Sequence, residues 1–319
     1  MTSHKDVQAG RVRFASARQS IPTEEKSTMK AGVIGLGAMG VGMSRNLHKA
    51  GLLTAVWNRT TSKADSLAKE LGVTPATDPA TLARECDVIV TCVSRDEDVL
   101  AVIDSMVPGL SAGKVVIDCS TIAVDTVRQA AQRVEARGAE FLDTPVSGGK
   151  EGADAGTLVF MVGGDAAVVE RLAPVFSAMG KQVSHMGPLG NGQATKAVNQ
   201  IMAAGINQAV TEALAFGQAC GLDMDKVVDV ISGGAAGNLL LKRRGTTMVQ
   251  GKFEPGFKLA LHHKDLGICK QMLANLDVSL PVVEMTLKHY ERLMEAGHGD
   301  EDMTALFRTK KAMFDKGKS

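Results

Sequence analysis

Aromatic side chains are scarce in this chain of 319 residues, which has nine Phe, one Trp and one Tyr. A surplus of one charge is also missing: 36 Lys and Arg stand against 35 Asp and Glu, a formal net charge of +1. No basic excess points to nucleic acid, and no single-sign tail points to a membrane surface. No apolar run reaches the roughly 18 residues that a membrane-spanning helix needs. The five cysteines (Cys86, Cys92, Cys119, Cys220, Cys269) form no CxxC pair and have no histidines at zinc spacing. An odd, scattered set reads as reduced thiols in a reducing compartment. No metal site is expected, and a cytoplasmic location is.

Glycine, by contrast, is abundant, at 34 residues against a usual share of about 7%. With 45% hydrophobic residues and 16 Met, the chain has an ordinary globular core built from aliphatic side chains. The excess glycine therefore asks for places where backbone turns tightly or comes close to something. Residues 1–28 stand apart. They lack an apolar period and carry Arg11, Arg13 and Arg18 among Ser, Ala and Gln. This reads as a disordered extension, or as sequence upstream of a start at Met29. An Arg-rich organellar transit peptide is the alternative, which Glu24 and Glu25 do not exclude. Without an apolar h-region, secretion is not expected.

From Lys30 onward, short apolar runs alternate with helical stretches. Strands are expected at Val33–Ile34, Leu53–Trp57, Val88–Val93, Lys114–Cys119, Glu140–Leu142, Thr157–Val162 and Gln182–His185. Helices are expected at Gly42–Ala50, Ser62–Leu71, Val99–Met106 and Val124–Arg137. Strands separated by such helices make βαβ units and a parallel sheet. After Gly192 the pattern changes. Gln193–Cys220 has no proline and is rich in alanine; as one helix it would span about 42 Å. Gly205 and Gly217 lie within it, which suits close helix contacts. Met224–Ile231, Leu239–Val249, Leu259–Leu276 and Val282–Ala296 also read as helix. The expected organisation is an extension over 1–28, an α/β nucleotide-binding domain over 29–192 and an all-α domain over 193–319.

Gly35-Leu36-Gly37-Ala38-Met39-Gly40 is a GxGxxG between a strand and a helix. In that context the first glycine makes the turn. The second admits a pyrophosphate to the backbone, and the third lets helix pack on strand. Free N–H groups at the helix start then bind phosphate. A plain tight turn would read the same way without that context. The second strand runs into Asn58-Arg59-Thr60, where an NAD site usually carries an acid for the ribose 2′-OH. A guanidinium there can hold a 2′-phosphate that a carboxylate would repel, and Lys63 fits the same picture. NADP is therefore expected over NAD, although an exposed Arg at a loop tip would look alike.

Two further segments carry chemistry-bearing residues. Asp143-Thr144-Pro145-Val146-Ser147-Gly148-Gly149 follows a strand. Ser147 and the N–H groups of Gly148 and Gly149 could form a small anion nest for a carboxylate, or simply a glycine-rich crossover loop. Gly190-Asn191-Gly192-Gln193-Ala194-Thr195-Lys196-Ala197-Val198-Asn199-Gln200 opens the long helix, where Lys196, Asn199 and Gln200 share a face. Lys196 reads either as a solvated lysine or as a desolvated one fit for acid or base work.

Four blocks in order, GLGAMGVGM at Gly35–Met43, DTPVSGG at Asp143–Gly149, GNGQATKAVNQ at Gly190–Gln200 and HKDL at His263–Leu266, resemble the β-hydroxyacid dehydrogenases. That family includes 3-hydroxyisobutyrate dehydrogenase, tartronate semialdehyde reductase and the glyoxylate/succinic semialdehyde reductases. The resemblance runs from about Met29 to the C-terminus. It implies a Rossmann-type doubly wound sheet, then an all-α C-terminal domain joined by a long interdomain helix. It implies Lys196 as catalytic lysine and Ser147, Gly148 and Gly149 as the substrate carboxylate loop. Asn199, with Gln200 beside it, matches the amides that orient substrate; Gln200 stands where some members have Asn. Val93 and Ser94 at the end of the Val88 strand, Thr121 after the next strand, and Lys264 match cofactor contacts. Members with Asn-Arg-Thr after the second strand tend to use NADPH. Relatives form dimers or tetramers, and small residues at Ala203, Ala204, Gly205 and Ala209 would allow close approach between chains or within one.

The implied reaction is reduction of a small aldehyde acid. Hydride reaches the carbonyl carbon, and Lys196 stabilises and protonates the oxygen. Such a small polar substrate needs no stacking surface, which suits the scarcity of aromatics. Oxidation of 3-hydroxyisobutyrate or a serine-type 3-hydroxyacid is the alternative within the family. 6-Phosphogluconate dehydrogenase shares the nucleotide domain, but too few residues follow Gly192 for its helical domain. Imine reductases usually lack the lysine. A related scaffold serves as a non-catalytic nucleotide-binding chromatin module, which loses the lysine and carries reader domains. His262 and His263 are expected to be packing or surface residues.

Overall fold

The computed structural model describes residues 29–315, so the expectations for residues 1–28 lie outside it. The described residues divide into two compact units between Lys196 and Ala197, inside a helix and four residues beyond the Gly192 boundary expected from the sequence.

The first unit begins with β1 (Ala31–Ile34), α1 (Gly40–Lys49), β2 (Leu53–Trp57), α2 (Thr61–Leu71), β3 (Thr74–Pro75) and α3 (Pro79–Glu85). β4 (Val88–Thr91), α4 (Asp96–Met106), β5 (Val115–Asp118), α5 (Val124–Glu135) and β6 (Glu140–Asp143) follow. After them come β7 (Val146–Ser147), α6 (Gly149–Asp154), β8 (Leu158–Gly163), α7 (Ala166–Arg171), α8 (Ala173–Met179) and β9 (Gly180–Gly187). The strand order is β3-β2-β1-β4-β5-β6-β8-β7, with β9 paired to β8. Chain order reverses between β1 and β4, so the crevice beyond their carboxyl ends is where such sheets take ligands.

The central strands are apolar up to their carboxyl ends because both faces are covered. Val33, Val90 and Ile117 pack into one core with Met43 and Leu47 of α1. Their neighbours Ile34, Ile89 and Val116 pack into the other, with Leu82, Ile103 and Val127. Alternation by two thus divides one apolar run between two layers.

The sheet is not purely parallel, as the pattern alone had suggested. β8 runs antiparallel to β6 and β7. The ten residues between β7 and β8 hold only the six-residue α6. A parallel crossover needs a dozen residues or more, so the chain doubles back instead. α3 was also not expected, although its start is signalled locally. Pro79 occupies its first turn, and the Asp78 carboxylate caps it by accepting from the Thr81 N–H at 2.8 Å.

α9 (Asn191–Ala219) is unbroken over 29 residues, and its first six belong to the first unit. The second unit holds the remainder with α10 (Met224–Ser232), α11 (Leu239–Val249), α12 (Leu259–Ala274), α13 (Pro281–Glu295) and α14 (Leu306–Asp315). The single Tyr, Tyr290, is fully buried at its centre. Its hydroxyl meets the Asn207 amide and His262 Nδ1, each at 3.0 Å. His262 is thus a packing residue, and His263 is half-buried, 3.7 Å from Glu291. Ala204 lies in this unit's own core, whereas Ala209 faces outward. Among the described residues no helix is long and apolar enough to cross a membrane.

Candidate active site

The glycine loop is shaped by three different demands. Gly35 has φ +96°, the left-handed region, and a side chain there would run into the Cys92 carbonyl. A side chain on Gly40 would fall on the Gly35 carbonyl, so α1 starts against the end of β1. Gly37 is exposed, and a Cβ there would meet nothing within 4 Å. The open face of the loop is thus the one a pyrophosphate would approach. Leu36 is buried, Ala38 is exposed, and Met39, at the N-cap of α1, makes no side-chain cap bond. The Val41 N–H donates to the Gly37 carbonyl at 3.3 Å, and the helix start, without a side-chain cap, is otherwise suited to an anion. These features fit the diphosphate of a dinucleotide.

Asn58 braces this loop from β2. Its Oδ1 accepts the Leu36 N–H at 2.9 Å, and its Nδ2 donates to the Thr60 carbonyl at 3.1 Å. The side chain of Arg59 is 85% exposed and meets Asp98 at 2.9 Å. Thr60 is exposed at the start of α2. No carboxylate directly follows β2, so a 2′-phosphate would meet a guanidinium and a neutral amide there.

At the ends of β4 and β5 the chain buries a polar knot. Asp118 Oδ1 accepts from the Thr91 hydroxyl at 2.6 Å and from the Ser120 hydroxyl at 2.7 Å. The Ser120 oxygen in turn accepts the Val93 N–H at 3.0 Å. Val93 is half-buried, Ser94 exposed and Thr121 half-buried on the loops that leave the two strands. The backbone of the Val93 loop is therefore held by a side chain from the loop that follows the next strand.

Asp143 ends β6 beside Asp118, its register partner on β5. It is fully buried, and its two oxygens accept the Gly190 N–H at 2.7 Å and the Gln193 N–H at 2.8 Å. Burial, with Asp118 nearby, pushes its carboxyl up to about 6 against the pull of those N–H bonds. Gln193 extends the knot. Its Nε2 donates to the Ser120 carbonyl at 2.7 Å, and its Oε1 accepts the Ile122 N–H at 3.3 Å. Sequence reasoning passed over both residues as candidates. The available signal was an acid closing an apolar strand, as Asp118 and Asp143 both do.

Lys196 stands one turn beyond Gln193 on α9 and is 8% exposed. Its Nζ donates to the Val146 carbonyl at 2.9 Å. Of the two readings its sequence left open, the structure gives the buried one. Ser147 follows Val146 on β7 and is half-buried; Gly148 and Gly149 follow with φ +135° and +62°. One short segment thus brings a buried lysine beside a serine and a backbone that only glycine adopts without strain.

In the second unit, Asn199 Nδ2 donates to Gln200 Oε1 at 2.8 Å. Gln200 Nε2 donates to Asp265 Oδ2 at 2.6 Å, and Asp265 Oδ1 meets Lys264 at 2.9 Å. Gln200 is 3% exposed, so its amide is committed to Asp265, while the half-buried Asn199 has the more accessible amide.

Comparison with known proteins gives the family. Residues 30–187 match the model described as the NAD binding domain of 6-phosphogluconate dehydrogenase. Residues 190–309 match the NAD-binding domain of NADP-dependent 3-hydroxyisobutyrate dehydrogenase. The 2-hydroxy-3-oxopropionate reductase of Escherichia coli is 36% identical over 89% of this chain and 98% of its own length. The chain belongs to the β-hydroxyacid dehydrogenase family. A probable mitochondrial 3-hydroxyisobutyrate dehydrogenase-like protein of Arabidopsis thaliana is 36% identical over 92% of this chain and 88% of its own. The structure of Mycobacterium tuberculosis 3-hydroxyisobutyrate dehydrogenase with L-serine superposes with a TM-score of 0.80 at 32% identity, covering 88% of this chain and 98% of that one. This β-hydroxyacid dehydrogenase is accordingly an NAD(P)-dependent oxidoreductase acting on CH–OH groups.

Proposed function

We propose that this enzyme is an NADPH-dependent reductase of small aldehyde acids, of the tartronate semialdehyde, glyoxylate or succinic semialdehyde type, with Lys196 as proton donor. The observation that carries the reading is the buried Lys196 side chain, held on the Val146 carbonyl one residue before Ser147. When bound, the reduced nicotinamide supplies the hydride. Gly37 and the start of α1 hold the diphosphate, with Val93, Ser94, Thr121 and Lys264 as further cofactor contacts. Arg59 takes the 2′-phosphate in exchange for Asp98, a solvent-exposed pair of small intrinsic worth. Ser147 with the Gly148 and Gly149 backbone holds the substrate carboxylate, and Asn199 orients the substrate, with Gln200 setting the Asn199 amide. Negative charge growing on the carbonyl oxygen is stabilised by Lys196, which then gives it a proton.

A second reading is oxidation of 3-hydroxyisobutyrate or a serine-type 3-hydroxyacid, favoured by the L-serine named with the Mycobacterium relative. A substrate panel with both cofactors, run in both directions, tests the assignment. Faster reduction of an aldehyde acid with NADPH than oxidation of any hydroxyacid supports the first reading, and the reverse supports the second. No turnover by wild type or Lys196→Ala, with NADPH binding intact, would point to a non-catalytic nucleotide-binding module.

The proposal extends to assembly as a homodimer or homotetramer in the cytoplasm. Val198, Met202 and Phe216 are 60%, 62% and 59% exposed along α9, an apolar stripe suited to a second copy of the chain. Light scattering that returns a monomer mass at micromolar concentration would contradict this.

A further inference from the structure

Asp143 is fully buried, and two glycines leave room for its carboxylate. A side chain at Gly163, its antiparallel partner on β8, would overlap Asp143 Oδ1. A side chain at Gly192 would sit 2.5 Å from the Asp143 carbonyl oxygen and 2.7 Å from Oδ2. Into that space the carboxylate reaches across the sequence to the Gly190 and Gln193 N–H groups, at 2.7 and 2.8 Å. These are the residues that start α9, and Lys196 follows on the next turn. Three residues after Asp143, on the same segment, the Val146 carbonyl receives Lys196 Nζ. The start of α9 is therefore clamped to one stretch of chain at two points, by its backbone on Asp143 and by its lysine on Val146.

We propose that Asp143 is a positioning residue for Lys196, fixing the first turn of α9 and with it the place of the lysine ammonium. The inference rests on the role given to Lys196 above. The clamp needs two acceptors, one for each N–H. A carboxylate supplies them. A protonated acid keeps one free acceptor and turns a hydroxyl toward the second N–H, and an asparagine does the same with its NH2 group. In this buried place the lost bond has no water to replace it. The clamp therefore holds while Asp143 is ionised and slackens on protonation. The charged and titratable groups on neighbouring elements are few. Asp118 on β5 opposes ionisation, the Cys119 thiol beyond β5 rests on the Thr144 hydroxyl at 3.3 Å, and Lys196 lies a turn away on α9. β8 presents Gly163, without a side chain. Ionisation is thus displaced toward about 6, inside the range where an enzyme is assayed.

The test is the pH profile of kcat in the reductive direction with NADPH, for wild type, Asp143→Asn and Lys196→Ala. In reduction Lys196 acts as its protonated form, so lowering the pH cannot disable it, and an acid limb must come from another group. Wild type is expected to lose activity about tenfold per unit below about pH 6. Asp143→Asn should have no such limb, and its kcat at pH 7.5 should be lower by about 10- to 100-fold, with NADPH affinity held within about threefold. A limb that persists in Asp143→Asn, or that is absent from wild type, overturns the proposal. Should Asp143→Asn not fold, amide hydrogen exchange in wild type decides. Protection of Gly190 and Gln193, corrected for intrinsic rates, should fall about tenfold from pH 7 to pH 5. Unchanged protection overturns the clamp. If Lys196→Ala is as fast as wild type, or no aldehyde acid is reduced at all, the reading of Lys196 has failed. The exchange data then still decide whether Asp143 holds the start of α9.

Discussion

The Gly35–Gly40 loop and the start of α9 solve the same problem by opposite means. Each brings polar chain to where a charged ligand is expected. At the glycine loop backbone is laid open: Gly37 faces nothing within 4 Å, and α1 starts without a side-chain cap. At α9 backbone is tied down by buried side chains, with Asp143 on two N–H groups and Gln193 bridging Ser120 and Ile122. The contrast follows from what each place has to do. A diphosphate brings its own charge and needs only donors. A proton donor must stand at one reacting atom, and an error of about 1 Å is costly. On the proposed reading, rigidity is thus concentrated where the proton would be delivered.

If the two regions are this separate, they should fail separately. Replacing Lys196 by Ala should lower kcat by about 10³-fold while NADPH affinity stays within about threefold, as read by steady-state kinetics and fluorescence titration. A matching loss of cofactor affinity would show that the two regions are one. The glycine loop should give the converse. Gly37→Ala fills space that is empty in the folded chain, so the melting temperature should hold while NADPH affinity drops about 100-fold. Gly40→Ala, whose Cβ falls on the Gly35 carbonyl, should lower the melting temperature as well.

Stability against pH sharpens the contrast further. The Asp143 pKa is raised from 3.8 to about 6, so this group favours the fold in acid. Its contribution is complete below the unfolded value and is lost as pH rises through about 6. Urea unfolding of wild type and Asp143→Asn should show the free-energy difference moving about 2–3 kcal/mol against wild type between pH 4 and pH 7. The ionised state proposed to serve the lysine is thus the one the fold favours less. The smallest effect belongs to Arg59→Ala. The ratio of NADPH to NADH efficiency should fall about tenfold, with little change in stability because the Asp98 pair is exposed. An unchanged ratio would place the 2′-phosphate elsewhere.

The same contrast explains what could be read from residues alone. The glycine loop is a local pattern: three glycines, a strand before and a helix after, all within a few positions. Leu53–Trp57 and Leu239–Val249 were expected at the bounds they have, because an apolar period and a capping residue are also local. The clamp is not local. Asp143 and Gly190 are 47 positions apart, and Gln193 and Ser120 are 73 apart. Nothing in the spacing of an acid and a glutamine says that they will meet. Gln200 shows a further limit. Its place beside Asn199 suggested a shared role toward substrate, but its burial against Asp265 depends on α12, which arrives 65 residues later. The reversal at β8 was hidden for a similar reason, since the apolar run of Leu158–Gly163 would serve a strand of either direction.

The central claim is that a buried lysine at the start of α9 delivers the proton while the glycine loop only holds the cofactor. Chemical rescue tests it most directly. With Lys196→Ala saturated with NADPH and an aldehyde acid, small primary ammonium ions should restore turnover in proportion to their concentration, the more strongly the more acidic the ion. Failure of every amine to raise the rate, with cofactor and substrate still bound, would contradict the role of Lys196 as proton donor.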